Sequence, residues 1–392
     1  MCFVMDQLTG HAIGLVSVSG EKNGSRKFLD SPLSDAGRVN CIIIPHSRPT
    51  IDENDIIAVT KVLASGMIAQ GEKVRKFEDA VSRFVGTKYA VAVSSGTSAL
   101  HLALLGLGVG PMDEVLMPSY VCSSPYFAAT QTGGVPKIVD IDLKDLNIDA
   151  EAAKCLVCSR TKALVVPHMF GNPAQVEELL ALGVPLIEDC AQSLGAKYHK
   201  REVGSFGEAS VFSFYATKMI TTGEGGMILT DQREIFERVQ DLRDYDKKPL
   251  KPAKYNYKMT DFQAALGLSQ LEKLQKFIER REKIASIYSE SFSDCKCEIP
   301  DMTPEKSSAF YRYVIMLDKL TTVQERSKQN GVMCERPVNM PLHKYLPSFK
   351  CPHSERAFKR ALSIPIYPSL TEDEIEYVVV SLRQALRNDK MT

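Results

Sequence analysis

Short apolar runs that recur along the chain constrain its fold more than any other feature of the sequence. Between positions 89 and 215 they begin about 20 to 25 residues apart, with helical or loop patterns between them. Near-continuous apolar strands that alternate with helices are typical of a mainly parallel sheet covered on both faces. The runs are "YAVAVSS" (89–95), "DEVLMPS" (113–119), "PKIVDID" (136–142), "KALVVPH" (162–168), "VPLIEDC" (184–190) and "ASVFSFY" (209–215).

A different pattern follows in the last third of the chain. Residues 261–292 form a long helical stretch, with Thr260 or Asp261 as its N-terminal cap. An apolar strand at 311–317 and a closing helix at 371–386 then suggest a smaller α+β domain. The stretch 261–292 is expected to lead from the large domain to the small one.

These patterns predict three segments. Residues 1–42 show no clear periodicity and are rich in Ser, Gly and Asp, so we expect an appended, partly disordered leader. Residues 43–275 form the large α/β domain, with helices on both faces of its sheet. Residues 276–392 form the smaller C-terminal domain.

Composition excludes several classes of function. The 48 basic and 48 acidic residues balance, which argues against a nucleic-acid groove or a basic membrane-binding surface. No apolar run is long enough to span a bilayer. The N-terminus lacks a basic leader before its apolar part, so we expect no signal peptide and a cytoplasmic protein.

The ten cysteines fit a reducing compartment better than a disulfide framework. Cys155 and Cys158 have the C-x-x-C spacing of a zinc site, and Cys295 and Cys297 lie further on. Neither pair has a histidine or a second cysteine pair at suitable spacing, so we expect no metal.

The first candidate site is the turn in "VAVSSGTSALHLALL". Gly96, Thr97 and Ser98 lie where a predicted strand ends and a helix begins. Free backbone N–H groups and the helix dipole make such a turn able to bind an anion. An ordinary helix cap with a turn glycine explains these residues equally well.

The second candidate is "VPLIEDCAQSLGA". Glu188 and Asp189 end a strongly apolar strand, where a carboxylate needs a partner or water. Asp189 could pair with a protonated ring nitrogen, and Gln192 could donate to a ligand oxygen. The alternative is that Asp189 caps a helix formed by "CAQSLGA".

The remaining candidates lie further along the chain. Ser213 belongs to a predicted strand, and Lys218 follows it just before the glycine-rich turn "TTGEGG". A lysine nucleophile needs a desolvated or cationic environment, but an exposed loop lysine is the simpler explanation. Asn256, between two tyrosines, could reach a ligand or simply form a turn.

Taken together, these candidates match the needs of one cofactor. Pyridoxal phosphate requires a lysine for covalent attachment, an acidic partner for its ring nitrogen and a turn that holds its phosphate. One site explains the four features better than four separate structural roles.

The sequence also resembles a known family, the sugar aminotransferases of the DegT/DnrJ/EryC1/StrS type, which have the fold type I of pyridoxal phosphate enzymes. The resemblance covers residues 43–388. Its motifs occur in order, among them "SSGTSALHLALLGLGVGPMDEVLMPS", "IEDCAQSLGA", "GSFGEASVFSFYATKMITTGEGGMI" and "YNYKMTDFQAALGLSQLEKL".

The resemblance implies a role for each candidate. Lys218 would bind the cofactor covalently and then shuttle a proton, and Asp189 would pair with the ring nitrogen. Gln192 would lie near the ring hydroxyl. The phosphate would be held by Gly96, Thr97 and Ser213, and by Asn256 of the other subunit of a homodimer with shared sites.

The resemblance further implies transfer of an amino group, with glutamate as the expected donor, to a keto sugar linked to a nucleoside diphosphate. One departure is that Cys122 stands where the family often has an aromatic ring that stacks on the cofactor. Tyr120 or Tyr126 could substitute for that ring, or the thiol could pack on the cofactor. Two alternative functions are amination of a keto-cyclitol or other unlinked keto sugar, and a catalytically silent regulatory protein.

Overall fold

The computed structural model describes residues 43–250 and 253–387 of the 392-residue chain. The expected leader, residues 1–42, lies outside the described residues. The strands of the described part, in chain order, are β1 (Tyr89–Val93), β2 (Glu114–Pro118), β3 (Val135–Val139), β4 (Thr161–Pro167), β5 (Leu186–Asp189), β6 (Lys197–Tyr198), β7 (Arg201–Glu202), β8 (Ala209–Ser213), β9 (Gly226–Thr230), β10 (Lys306–Ser307), β11 (Tyr313–Met316) and β12 (Ala361–Ile364).

Helices separate most of these strands. They are α1 (Glu53–Ser65), α2 (Glu72–Val85), α3 (Gly96–Gly106), α4 (Ser124–Gln131), α5 (Ala150–Leu156), α6 (Val176–Leu180), α7 (Arg233–Leu242), α8 (Asp261–Leu271), α9 (Leu274–Ser291), α10 (Leu320–Gln329), α11 (Leu342–Tyr345), α12 (Pro352–Arg360) and α13 (Glu372–Arg387). A 3-10 turn, Met169–Gly171, follows β4. No helix of the described part is both long and apolar enough to cross a membrane.

Seven strands form one sheet in the order β1-β9-β8-β5-β4-β2-β3. Every neighbouring pair is parallel except the two that involve β9, which runs antiparallel to β1 and β8. The start of β9 therefore lies at the carboxyl edge of the parallel strands. There Gly226 pairs with both Val93 and Ser213. The six apolar runs correspond to β1, β2, β3, β4, β5 and β8, so the predicted sheet is confirmed.

Alternate residues of the strands pack into two different cores, because successive side chains of a strand point to opposite faces. Val91 and Val93 of β1 pack with α3, α4 and α7, whereas Ala90 and Ala92 pack with α2 and α8. The sheet therefore has helices on both faces. This three-layer α/β/α arrangement is the predicted fold class.

The stretch 261–292 forms two helices instead of one. Thr260 caps α8, and its backbone N–H donates to Gln263 Oε1 at 3.1 Å. After α8 the N–H of Lys273 bonds the carbonyl of Gln270, three residues back, so the α-helical pattern tightens and stops. Lys273 Nζ is also fixed by the Asp55 carboxylate at 2.6 Å. This ion pair to α1 holds the break in place.

A further hydrophobic core lies in the C-terminal part. Strands β11 and β12 pair antiparallel, and α9, α10 and α13 pack with them. Ile44 joins the same core, although it comes from the start of the described chain. This agrees with the expected α+β layout, while the boundary between residues 275 and 276 stays a prediction.

Candidate active site

The N-terminus of α3 lies against the end of β8. Ser95 caps the helix by accepting a hydrogen bond from the Ser98 N–H at 3.1 Å. A Cβ added to Gly96 would lie 2.8 Å from the Cβ of Ser213, so glycine is required for this close approach. The N–H groups of Gly96 and Thr97 lie in the first turn, which has no intrahelical acceptors, and the helix dipole favours an anion there.

The loop after β2 lies beside this turn. Thr97 Oγ1 lies 2.8 Å from Oγ of Ser124, the first residue of α4, and Cys122 belongs to the loop just before that helix. Cys122 is an exposed residue, and desolvation by the protein around its thiol raises the pKa of that thiol. The charge of Asp189 raises this pKa further and that of Lys218 lowers it.

Asp189 ends β5 with its carboxylate buried and only 7% of the residue exposed. Oδ1 accepts the Ala191 N–H at 3.1 Å, and no other described residue hydrogen-bonds this carboxylate. Burial raises its pKa, although the charge of Lys218 acts in the opposite direction. The helix-cap alternative for Asp189 is wrong, because residues 190–196 form turns instead of a helix.

Glu188, the preceding residue, has the opposite environment. Burial alone would raise its pKa, but hydrogen bonds from His168 and the backbone lower it. We call these groups the Glu188 cluster. The donors to its carboxylate are His168 Nε2 at 3.1 Å and the N–H groups of Gly204, Phe206 and Gly207 at 2.7, 2.6 and 2.9 Å.

His168, Glu188 and Cys190 are the described residues whose ligand atoms lie close enough together to hold a metal ion. These atoms already have other roles. His168 Nδ1 accepts the Ala174 N–H at 3.0 Å, which leaves Nε2 as the donor to Glu188. Burial also raises the pKa of Cys190 well above its ordinary value, whereas a metal ligand must be a thiolate. The Glu188 cluster is therefore a satisfied hydrogen-bond network.

Gln192 follows Asp189 by three residues and faces the 3-10 turn after β4. Its Oε1 accepts the Phe170 N–H at 2.9 Å. Phe170 and Gly171 have left-handed backbones, with φ of 63° and 90°, so this turn needs such support. Because the oxygen is used, the amide NH2 is the group that can donate to a ligand.

Lys218 lies in a turn after β8, where its N–H bonds the carbonyl of Tyr215 at 2.9 Å. The residue is half-buried, and its Nζ lies 5.0 Å from the ring centroid of Tyr311. Tyr311 was not among the sequence candidates. Burial would raise the pKa of Tyr311, but the charges of Lys218 and Arg312 lower it to about 8.

Two aromatic residues were alternatives to Cys122 for stacking on a cofactor. Tyr120 is 0% exposed and packs edge-on against Phe170, so it has no surface available to a ligand. Tyr126 is partly buried and packs against Phe127. Cys122, in contrast, lies close enough to Asp189 and Lys218 for both charges to affect the pKa of its thiol.

Asn256 is exposed. Its neighbours in the chain, Tyr255 and Tyr257, stack their rings on each other with centroids 5.0 Å apart. The Asn256 side chain makes no hydrogen bond to the described residues. The Tyr257 carbonyl accepts the Ser94 N–H at 2.8 Å, which fixes this segment beside the end of β1. Among the described residues of one chain, no hydrogen bond joins Asn256 to the other candidates. We call those that lie together the strand-end site: Gly96, Thr97, Cys122, Asp189, Ser213 and Lys218.

Residues 49–383 match the DegT/DnrJ/EryC1/StrS aminotransferase family. The chain belongs to this family. It is 34% identical over 379 residues to the spore coat polysaccharide biosynthesis protein SpsC of Bacillus subtilis (strain 168), across 88% of this chain and 97% of SpsC. It is 32% identical over 361 residues to GDP-perosamine synthase of Escherichia coli O157:H7, across 87% and 98% of the two chains.

Solved structures agree with the sequence relatives. The aminotransferase TlmJ from Streptoalloteichus hindustanus superposes with a TM-score of 0.85 and 29% identity, over 88% of this chain and 99% of TlmJ. The protein is thus an enzyme of the sugar aminotransferase family, and its family implies pyridoxal phosphate as the cofactor. The strand-end site fits that group, because it offers a buried carboxylate with a single hydrogen bond, a helix N-terminus and a lysine.

Proposed function

We propose that this aminotransferase transfers an amino group from glutamate to a keto-deoxysugar linked to a nucleoside diphosphate. The observations that carry the catalytic part are that the charge of Lys218 acts on Asp189 and that Ser213, at the end of β8, lies against Gly96. The substrate part is supported by the relative named GDP-perosamine synthase, 32% identical to this chain.

Three residues are proposed to hold the cofactor phosphate. The N–H groups of Gly96 and Thr97 point from a helix N-terminus, where an anion is stabilised. The Ser213 hydroxyl lies 3.2 Å from the position that a Cβ of Gly96 would take, so it belongs to the same cradle. The phosphate of the cofactor would then be fixed at the carboxyl edge of the sheet, where ligands of open α/β sheets bind.

Asp189 is proposed to pair with the protonated ring nitrogen of pyridoxal phosphate. Its buried carboxylate is unfavourable without a partner, and a cation at this position would remove that cost. Gln192 would donate its amide NH2 toward the ring hydroxyl. Cys122 would pack on the ring in place of an aromatic side chain.

Lys218 is proposed to bind the cofactor covalently and to act as the acid and base. When bound, pyridoxal phosphate supplies an electron sink for the amino-acid carbon. Lys218 Nζ would be freed when the amino donor binds, and it would then move the proton that leaves the amino-acid Cα. Holding the amine beside that carbon would be the contribution of the protein.

The active form is proposed to be a homodimer in which Asn256 of the partner subunit contacts the phosphate. Two observations support this arrangement. Asn256 is exposed in the single chain. Apolar side chains of the α1–α2 connection are also exposed, with Met67 at 73% and Ile68 at 47%. The cytoplasmic location stays a prediction.

Subunit mixing tests the shared site. Lys218→Ala and Asn256→Ala dimers should each be nearly inactive. A mixed dimer would contain one site with both residues intact, so exchange of equal amounts should restore about a quarter of the wild-type activity. If mixing restores nothing while exchange is verified by mass, Asn256 does not act across the interface.

A substrate panel tests the reaction itself. The protein is incubated with glutamate and, separately, with nucleotide-linked keto sugars, the matching unlinked keto sugars and a keto-cyclitol. Formation of 2-oxoglutarate and of the amino sugar is measured by mass spectrometry. We expect turnover only with nucleotide-linked acceptors. Turnover with the cyclitol or the unlinked sugars alone would contradict the proposal and support the alternative acceptor class.

A further inference from the structure

Tyr311 lies two residues before β11, and only 7% of it is exposed. One cation, Lys218 Nζ, lies 5.0 Å from its ring centroid, and another, the guanidinium carbon of Arg312, lies 4.9 Å from it. The hydroxyl is 3.4 Å from Thr217 Oγ1 and 3.4 Å from Arg312 Nη2. Tyr311 therefore contacts both Lys218 and the residue before it, Thr217.

The backbone at Tyr311 is fixed from two sides. Arg281 of α9, which is 3% exposed, donates from Nη1 to the carbonyls of Phe310 at 3.1 Å and Ile366 at 2.8 Å. On the other side, a Cβ added to Gly171 would lie 2.9 Å from the Tyr311 nitrogen. Because its backbone is fixed, the Tyr311 ring can restrict the position of the Lys218 side chain that contacts it.

We propose that Tyr311 is the positioning residue for Lys218, holding the lysine amine against its ring face and orienting that ring through the hydroxyl contacts to Thr217 and Arg312. This inference rests on the proposed function, because it assigns Lys218 the covalent role. The ring face attracts a cation by its quadrupole. It therefore keeps the amine at one place both before the cofactor is attached and after the amino donor has displaced it.

Among the described residues, three cationic groups act on Tyr311. Lys218 comes from the turn after β8, Arg312 from the segment before β11 and Arg281 from α9. Together with the Thr217 hydrogen bond they outweigh burial and bring the pKa of the Tyr311 hydroxyl to about 8. Above that pH the phenolate holds the Lys218 ammonium more firmly than the neutral hydroxyl does. Covalent loading of wild type should then rise less steeply with pH than in a variant without the hydroxyl.

The test measures covalent loading, so it does not depend on knowing the sugar substrate. Pyridoxal phosphate is added to wild type, Tyr311→Phe, Tyr311→Leu and the control Tyr313→Phe, at several values between pH 6.5 and 9.5. Tyr313 is a suitable control, since its hydroxyl lies 2.8 Å from Ser289 Oγ and does not contact Lys218 or Thr217. The visible band of the lysine-bound cofactor gives the rate, and borohydride reduction followed by mass spectrometry identifies the lysine.

Tyr311→Leu should load at least about tenfold more slowly than wild type, since the amine loses the surface that holds it. Tyr311→Phe keeps the ring and should load within about threefold of wild type at pH 7, but its rate should rise more steeply above pH 8. Tyr313→Phe should match wild type throughout. Circular dichroism and thermal unfolding identify any variant that misfolds. If Tyr311→Leu misfolds, the test still stands on Tyr311→Phe, because that substitution nearly conserves the side-chain volume.

The outcomes separate the two levels of the argument. If wild type forms no adduct at Lys218, the proposed function fails and this role fails with it. If wild type forms the adduct and both Tyr311 variants load with wild-type rates and pH dependence, the role of Tyr311 alone is overturned.

Discussion

Glu188 and Asp189 are neighbours at the end of β5, yet their carboxylates lie in opposite surroundings. Glu188 is 0% exposed and receives hydrogen bonds from His168 and three backbone N–H groups. Asp189 is also buried, but among the described residues it receives only the N–H of Ala191. Because successive side chains of a strand point to opposite faces, one residue step separates a satisfied network from an unsatisfied one.

This difference distinguishes structural carboxylates from those available to a ligand. A buried carboxylate with a full set of donors stabilises the fold. A buried carboxylate without them costs stability, and such groups are kept where a ligand supplies the missing partner. The pKa values show the same contrast, since the pKa of Glu188 is lowered and the pKa of Asp189 is raised.

Replacing Glu188 should have the larger effect on stability. In Glu188→Gln an amide NH2 would face groups that are themselves donors, so we expect the free energy of unfolding to fall by about 3 kcal/mol. Urea unfolding of the cofactor-free protein measures this. A change below about 1 kcal/mol would show that the Glu188 cluster is not the stabilising network described here.

The Glu188 cluster also predicts how stability depends on pH. Since its pKa in the folded protein is lower than the ordinary 4.5, its contribution is present above pH 4.5 and is lost as pH falls through the folded value. Wild type should therefore lose more stability on acidification than Glu188→Gln does. Parallel slopes for the two proteins between pH 5 and 3 would contradict this.

Replacing Asp189 should affect function and leave the fold intact. We expect Asp189→Asn to lose at least about a hundredfold in activity, because a neutral amide does not keep the ring nitrogen protonated. Its cofactor-free form should be as stable as wild type or up to about 1 kcal/mol more stable at pH 7. The sign follows from the raised pKa, since the ionised carboxylate opposes folding at pH values above it.

An Asp189→Asn protein destabilised as much as Glu188→Gln would remove the distinction between the two carboxylates. Measuring unfolding of both variants without cofactor and with saturating pyridoxal phosphate makes the comparison complete. Ligand binding should stabilise wild type more than Asp189→Asn.

The smallest expected effect concerns the phosphate cradle. Gly96→Ala would place a methyl group 2.8 Å from the Ser213 Cβ, so the helix N-terminus must move away from β8. We expect about tenfold weaker binding of pyridoxal phosphate and about 1–2 kcal/mol of lost stability. Gly110→Ala is the matched control, since nothing lies within 4 Å of its added Cβ. Equal cofactor affinities in the two variants would argue against the cradle.

The sequence predicted the order and type of the main elements, because apolar runs and helical periods directly reflect burial. It also indicated the separate candidates Asp189, Lys218 and Gly96, since polar residues at strand ends are visible in a linear chain. Their mutual placement depends on the crossing order of the sheet, in which β9 returns antiparallel between β1 and β8. The family resemblance implied a role for each of these residues, but not the strand order that determines their positions.

Other features could not be read from the sequence. Nothing near Tyr311 distinguishes it from the other tyrosines, and its contact with Lys218 spans about 90 positions of the chain. The difference between Glu188 and Asp189 depends on backbone N–H groups of a loop near residue 205, which no side-chain pattern records. At the break between α8 and α9, Lys273 forms an ion pair with Asp55, far away in sequence.

Covalent capture of the cofactor tests the central claim most directly. Purified protein is incubated with pyridoxal phosphate, its visible spectrum is recorded, and borohydride reduction is followed by peptide mass spectrometry. The account predicts an absorption band and a pyridoxyl mass on the peptide that contains Lys218. Both should be lost in Lys218→Ala and kept in Lys154→Ala, which changes an exposed lysine paired with Glu151. No band, or an adduct on another lysine, would contradict the account.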